Sequence, residues 1–233
     1  MVILASIVSV YKMLESKVRY LQIAFNVEIT DAERMITRVP RGRRILIEAG
    51  TPFIKRYGID GIARLARLWS GYIVADIKIA DGAAEEVAMA KYAGANAVTA
   101  LGNAPTETLN IFIKACERFG LDSMIDMIRV ERPLKVIRPL TKPPRVVILH
   151  RGRDEETTRG KVIQYKHITK IKSKYDVLIS AAGGVDLKEA QSAAFNGANI
   201  VVVNVIPVGV PWKGITPQQD IATLAHQFLK SIE

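Results

Sequence analysis

Three ionisable residues stand at the spacing Asp-x-Lys-x-x-Asp in the segment VADIKIADG: Asp76, Lys78 and Asp81. Alternation along an extended chain puts Asp76 and Lys78 on one face, so a carboxylate and an ammonium would share a site. Such a pair suits a reaction in which negative charge develops on a bound intermediate. Lys78 would offset that charge, and Asp81 would anchor or tune Lys78. Glu48, in RILIEAG, supplies a second carboxylate. On neighbouring strands Glu48 and Asp76 could bind one hard cation such as Mg2+, which keeps positions open for substrate oxygens. Asp126 could hold a substrate hydroxyl or extend the metal shell. His150 could carry proton transfer to or from a carbon acid on its imidazole. It opens the polar run HRGRDEETTRGK, which contains Arg153 and could close over an anionic ligand. The pair Gly183-Gly184 would let backbone N–H groups approach a phosphate near a helix N-terminus. For each of these residues taken alone, a solvated loop or an ordinary ion-pair network is the plainer reading. The chemical case rests on a common location.

That location follows from the elements. Short β-branched runs alternate with amphipathic segments, the mark of parallel βα units. Eight strands are predicted, at 20–27, 44–50, 72–78, 96–101, 122–128, 145–150, 176–182 and 199–205. Helices are predicted at 31–39, 58–69, 83–93, 106–119, 133–140, 158–172, 187–195 and 217–232. Eight such units imply an α/β fold of the (β/α)8 TIM-barrel type, covering residues 20–233. Residues 1–19 form a predicted N-terminal helical extension. The echo between Gly94-Ala95-Asn96 and Gly197-Ala198-Asn199, half a barrel apart, supports the closed form. In a barrel the polar residues at strand carboxyl ends converge. Here they are Asn26, Glu48, Asp76 with Lys78, Thr99, Asp126, His150, the Gly183-Gly184 pair and Asn204.

With 233 residues, 49% of them hydrophobic, one large core can form. The apolar run MVILASIVSV is too short to span a bilayer and lacks a preceding basic stretch, so no membrane partner is expected. The lone Cys116 allows no internal disulfide and fits a reducing, cytoplasmic setting. A net charge of +10 points to an anionic partner without choosing one. Its densest basic clusters are Arg38 to Arg44 and Lys161 to Lys174. Neither is interleaved with stacking aromatics, so nucleic acid is not the expected partner. His167 and His226 read as surface or packing residues, Trp69 as core and Trp212 as a loop anchor.

VADIKIADG, the following GANAVTALG, and IEAGTPFIK together resemble the orotidine-monophosphate-decarboxylase superfamily from Tyr20 to Glu233. They look especially like its branch of 3-hexulose-6-phosphate synthases and 3-keto-L-gulonate-6-phosphate decarboxylases. In the nucleotide decarboxylases the position of Glu48 is usually lysine, so Glu48 is similar to the metal-dependent sugar-phosphate members. The resemblance implies Mg2+ held by Glu48 and Asp76, Lys78 beside an enediolate, and a phosphorylated sugar substrate. It also implies a homodimer in which the position of Asp81 faces the partner's site. HRxRD is similar to the decarboxylase subgroup, where the positions of His150 and Arg153 manage proton delivery. RVERPLK and IEAGTP look more like the synthase. The favoured expectation is synthase chemistry, ribulose 5-phosphate adding to formaldehyde or the reverse cleavage. The alternatives are either decarboxylation and a catalytically altered barrel serving as a binding or regulatory protein. Two departures stand out. Asn26 replaces the family's aspartate as a substrate-positioning residue. Asn204-Val205-Ile206-Pro207 replaces the glycine-glycine or glycine-arginine that completes the phosphate cup, and Lys213 is the residue that could compensate.

Overall fold

A computed structural model describes residues 13–158 and 162–233. Eight parallel strands close into a barrel in sequence order, β1 (Tyr20–Phe25), β2 (Ile45–Ala49), β3 (Tyr72–Ile79), β4 (Ala97–Leu101), β5 (Asp122–Asp126), β6 (Val146–His150), β7 (Leu178–Ala182) and β8 (Ile200–Val205), with β8 paired back to β1. The strands are almost wholly buried, as parallel strands covered on both faces must be. Alternate residues divide between two cores. Tyr20, Leu46, Val74, Met124, Val146 and Ile200 fill the barrel, while Ile23, Ile47, Val98, Ile125, Ile179 and Val201 pack outward under the helices.

The helices are α1 (Ile29–Ile36), α2 (Thr51–Leu68), α3 (Ala83–Tyr92), α4 (Thr106–Phe119), α5 (Pro133–Ile137), α6 (Arg153–Glu156), α7 (Lys166–Lys172), α8 (Leu187–Phe195) and α9 (Ile221–Ser231). Helix α2 begins before the predicted Gly58, with Pro52 in its first turn, and it is interrupted at Gly58, whose φ of 57° and ψ of −146° break the helical path. Of the predicted helix 158–172, Lys166–Lys172 is helical, and the described residues 158 and 162–165 are not. Ahead of it α6 forms over the barrel mouth, where the Glu155 carboxylate accepts from the Gly152 N–H at 3.2 Å.

The half-barrel echo has a physical cause. Gly94 and Gly197 have φ of 94° and 93°, ending α3 and α8 in the left-handed region. Asn96 Oδ1 accepts from the Ile73 N–H at 2.7 Å, and Asn199 Oδ1 accepts from the Ile179 N–H at 3.1 Å. Each asparagine thus satisfies a donor on the preceding strand where its ladder starts.

Residues 1–12 of the expected N-terminal extension lie outside the described residues. Residues 13–19 are irregular with a turn at Ser16-Lys17, and they cross the amino end of the barrel. Leu14 is buried against the barrel interior, and its N–H donates to Asp122 Oδ2 at 3.1 Å. Tyr72 also donates to Asp122, and Asn199 donates to the Ser16 carbonyl at 2.8 Å. No helix among the described residues is long and apolar enough to cross a membrane.

Candidate active site

The carboxyl ends of the strands surround a cavity of about 270 Å3 lined by Glu48, Asp76, Lys78, Asp126 and His150. Lys78 reaches it through an irregularity in β3. The register with β4 shifts between Ala75 and Ile79, and Lys78 takes a φ of 59°. A lysine in the left-handed region costs about 1–2 kcal/mol, so its surroundings must hold it there. The Thr99 hydroxyl does so by accepting from the Lys78 N–H at 2.9 Å.

The same hydroxyl donates to Asp76 Oδ1 at 2.8 Å, while Thr51, at the start of α2, donates to Asp76 Oδ2 at 2.7 Å. Lys78 Nζ completes the surround of Asp76 Oδ1 at 3.1 Å. Its shorter partner is Asp126 Oδ2, on β5. Asp126 is 1% exposed and also engages His150 Nδ1 at 2.9 Å and the Ile128 N–H at 2.9 Å. Asp126 therefore links the two groups best able to handle charge and protons. Burial works against its ionised form, but His150 and Lys78 outweigh that and hold its carboxyl well below the usual range. Burial likewise opposes the charged lysine, yet Asp76 and Asp126 overcome it and hold Lys78 well above its ordinary value. Asp81 does not anchor Lys78 within this chain. It is exposed at the rim, with no hydrogen bond or ion pair among the described residues. The chain leaves β3 at Ile79, before Asp81 can turn back into the mouth.

Glu48 lies beside this cluster, 7% exposed. Burial pushes its carboxyl up to about 8, and the facing Asp76 carboxylate pushes the same way. Gln22, inside β1, donates to Glu48 Oε2 and offsets part of this, while Gln22 Oε1 is buried without a hydrogen-bond partner. Two facing carboxylates, one of them reluctant to ionise, with an unsatisfied amide oxygen alongside, are an oxygen donor set that fits Mg2+. No group of three or more acidic, histidine or cysteine ligands exists among the described residues. A cation here would therefore retain water or substrate oxygens.

The expected phosphate cup is built differently from the rest. Gly183 and Gly184 have φ of 103° and 61°, and a Cβ on Gly183 would lie 2.0 Å from the Arg151 carbonyl oxygen. Arg151 Nη2 donates to the carbonyls of both glycines at 2.8 and 3.2 Å. Over Gly184 sits the Glu156 carboxylate, whose carbon is 2.3 Å from where a Cβ would be. The Lys213 N–H donates to Glu156 Oε1 at 2.6 Å. The Lys213 ammonium is held by Asp186 at 2.8 Å and Glu189 at 3.5 Å. Arg153 lies over the Trp212 ring, 4.5 Å from its centre. A carboxylate of the chain thus fills the cup, and two contacts fasten α6 to the loop after β8. Asn26 Nδ2 donates to Asn204 Oδ1 at 3.2 Å at the same rim.

Sequence reasoning brought together Glu48, Asp76, Lys78, Asp126, His150, Asn26, Arg153 and Gly183, all of which line the mouth. It missed Gln22, Thr51 and Glu156. A glutamine in the otherwise apolar run YLQIAF was the available signal for the first.

Residues 19–204 match the Orotidine 5'-phosphate decarboxylase / HUMPS family. The chain belongs to this family. It is 34% identical over 217 residues to the bifunctional enzyme Fae/Hps of Methanothrix thermoacetophila, covering 92% of this chain and 53% of that protein. Against the Methanocella arvoryzae Fae/Hps it is 35% identical over 218 residues, with 92% and 53% covered. The chain thus spans about half the length of these curated relatives. The 3-hexulose-6-phosphate synthase from Salmonella typhimurium has a similar structure, with a TM-score of 0.79 at 26% identity over 91% of this chain and 98% of that one. KGPDC from Streptococcus mutans shares the family's fold with a TM-score of 0.73 at 19% identity, covering 93% and 98%.

Proposed function

We propose that this family member is a Mg2+-dependent carbon–carbon lyase of the 3-hexulose-6-phosphate synthase type, joining ribulose 5-phosphate to formaldehyde or cleaving the product. The observation that carries the reading is the Glu48–Asp76 carboxylate pair beside a Lys78 ammonium, in a chain similar to Fae/Hps proteins and to a solved 3-hexulose-6-phosphate synthase. A Lewis acid bound by the two carboxylates supplies polarisation of the sugar's carbonyl and hydroxyl oxygens.

The chain's own residues divide the remaining work. Asp126 engages His150 Nδ1, leaving Nε2 as the ring nitrogen available to exchange a proton with the substrate. Proton removal next to the carbonyl leaves an enediolate, and the fixed Lys78 ammonium faces the charge that develops. Carbon–carbon bond formation to formaldehyde places that charge on the new oxygen, where one proton restores the neutral alcohol. Thr51 and Thr99 hold Asp76, so its carboxylate needs no reorientation during turnover. The substrate's phosphate belongs at Gly183-Gly184 and requires Glu156 to withdraw. A homodimer that presents Asp81 to the partner's site is part of the same reading.

The test is formaldehyde-dependent consumption of ribulose 5-phosphate in the presence of Mg2+. Asp76→Ala and Lys78→Ala should each abolish it, and activity surviving in both would sink the proposal. The occupied phosphate cup favours a second reading, a barrel that binds without catalysing. No thermal shift with ribulose 5-phosphate and Mg2+ would support that one.

A further inference from the structure

We propose that the groove between α5 and α7 is a second anion site, which holds a nucleoside di- or triphosphate beside the barrel mouth. This does not rest on the catalytic reading. The groove encloses about 850 Å3, within the size range of small-molecule sites. It is formed where α5 packs on α7, so two basic segments far apart in sequence converge on it. Arg132, Lys135 and Arg138 come from one side, Lys166 and Lys170 from the other. None of these five has an ion-pair partner among the described residues. With Arg129 and Arg151 the lining has seven cationic side chains against the carboxylates of Glu131 and Glu155, a net of five, half of the chain's excess of ten.

The other basic cluster shows the contrast. Arg38 pairs with Asp220 at 2.9 Å, Arg41 stacks over Trp69 at 4.5 Å and Arg44 reaches Glu233 and two backbone carbonyls. Those arginines hold helices to the barrel. The five groove cations make no such pairs among the described residues, and beside them burial, with Lys166 and Lys170, holds His167 below its ordinary value. Like charges gathered around a concavity with no internal partner raise the local concentration of anions.

Met127, Leu134, Leu149 and Val162 add apolar surface to the lining. Cationic and apolar side chains lining one groove fit a ligand with an apolar body and a polyphosphate tail, which is a nucleotide. The mouth cavity differs, because its lysine is already paired twice. The two cavities share His150, so a nucleotide's charge would lie next to a group of the active site.

The experiment is calorimetric titration of the full chain with ATP, tripolyphosphate and adenosine at low and moderate salt. ATP should bind more tightly than tripolyphosphate, and both should weaken with salt. The Arg138→Gln/Lys170→Gln protein should lose at least tenfold in ATP affinity, since each change removes one exposed cation. An Asp76→Asn protein, altered only in the mouth, should bind ATP as the unaltered chain does. Equal affinity for ATP and tripolyphosphate would overturn the nucleotide assignment, as would preferential binding of single-stranded RNA that displaces ATP. No binding at millimolar ATP, or unchanged binding in the double variant, would overturn the site.

Discussion

Replacing Glu48 by glutamine should make the metal-free protein more stable as the pH rises, relative to the unaltered chain. The fold raises the Glu48 carboxyl from 4.5 to about 8, so the native state keeps a proton that the unfolded state has released. Stability therefore falls as pH rises from about 5, by about 1.4 kcal/mol per pH unit, and the loss is complete above about 8. Across the interval this amounts to on the order of 4 kcal/mol, a large share of a typical domain's 5–15 kcal/mol. Glu48→Gln keeps the shape and still accepts from Gln22, but it never ionises. Denaturant titrations in EDTA at several pH values would show the difference between the two proteins widening toward pH 8. Saturating Mg2+ should then restore the unaltered protein and leave Glu48→Gln where it was, because a cation bound by the ionised pair reverses the penalty. Parallel pH dependence of the two proteins, or equal stabilisation of both by Mg2+, would refute the reasoning.

Asp126→Asn removes the charge shared by Lys78 and His150, and breaking this buried network should lower turnover at least a hundredfold with a smaller change in the KM for ribulose 5-phosphate, read by steady-state kinetics. Glu156→Ala empties the phosphate cup and should lower that KM several-fold, whereas an unchanged or raised KM would show that Glu156 does not compete with the substrate. Gly183→Ala forces a Cβ onto the Arg151 carbonyl at a φ of 103°, costing on the order of 3 kcal/mol and lowering Tm by roughly 10 °C in calorimetry. Asn26→Ala and Asn204→Ala should be non-additive by about 1 kcal/mol in a double-mutant cycle of denaturation free energies.

The barrel and its convergent strand ends were legible in the sequence because short β-branched runs and amphipathic helical segments alternate eight times, and each strand's last polar residue must then face one mouth. Glu48, Asp76, Lys78, Asp126 and His150 needed only that rule. What could not be read was how these groups pair. Lys78 lies two residues from Asp76, yet its shorter bond is to Asp126, because the irregularity in β3 and the left-handed φ redirect it across the barrel. Asp81 continues the same motif, but pairing that depends on where a strand leaves its sheet has no signature in residue spacing. Glu156 was hidden for a related reason. The run HRGRDEETTRGK reads as a lid over an anionic ligand or as a solvated loop, and only the structure shows that its Glu156 carboxylate lies over Gly184.

The two departures from the family pattern meet in the structure at the rim between β1 and β8. Asn26 directly follows β1 and Asn204 lies in β8, and because the barrel closes between those strands the two amides meet at 3.2 Å. Asn26 also lies against Gly50, where a Cβ would come within 2.2 Å of its Oδ1, so β1, β2 and β8 are fitted around this side chain. An amide at 26 withholds a further negative charge from a mouth that already contains Glu48, Asp76 and Asp126, and it can donate to the Asn204 oxygen, which a carboxylate could not. The loop beyond β8 carries Ile206 and Pro207. The Lys213 N–H of that loop donates to the Glu156 carboxylate over Gly184. Under the proposed function, a substrate phosphate at Gly183-Gly184 would meet a donor from the loop after β8 and a competing carboxylate from α6, so the Glu156→Ala change in KM reads how far the lid sets affinity there.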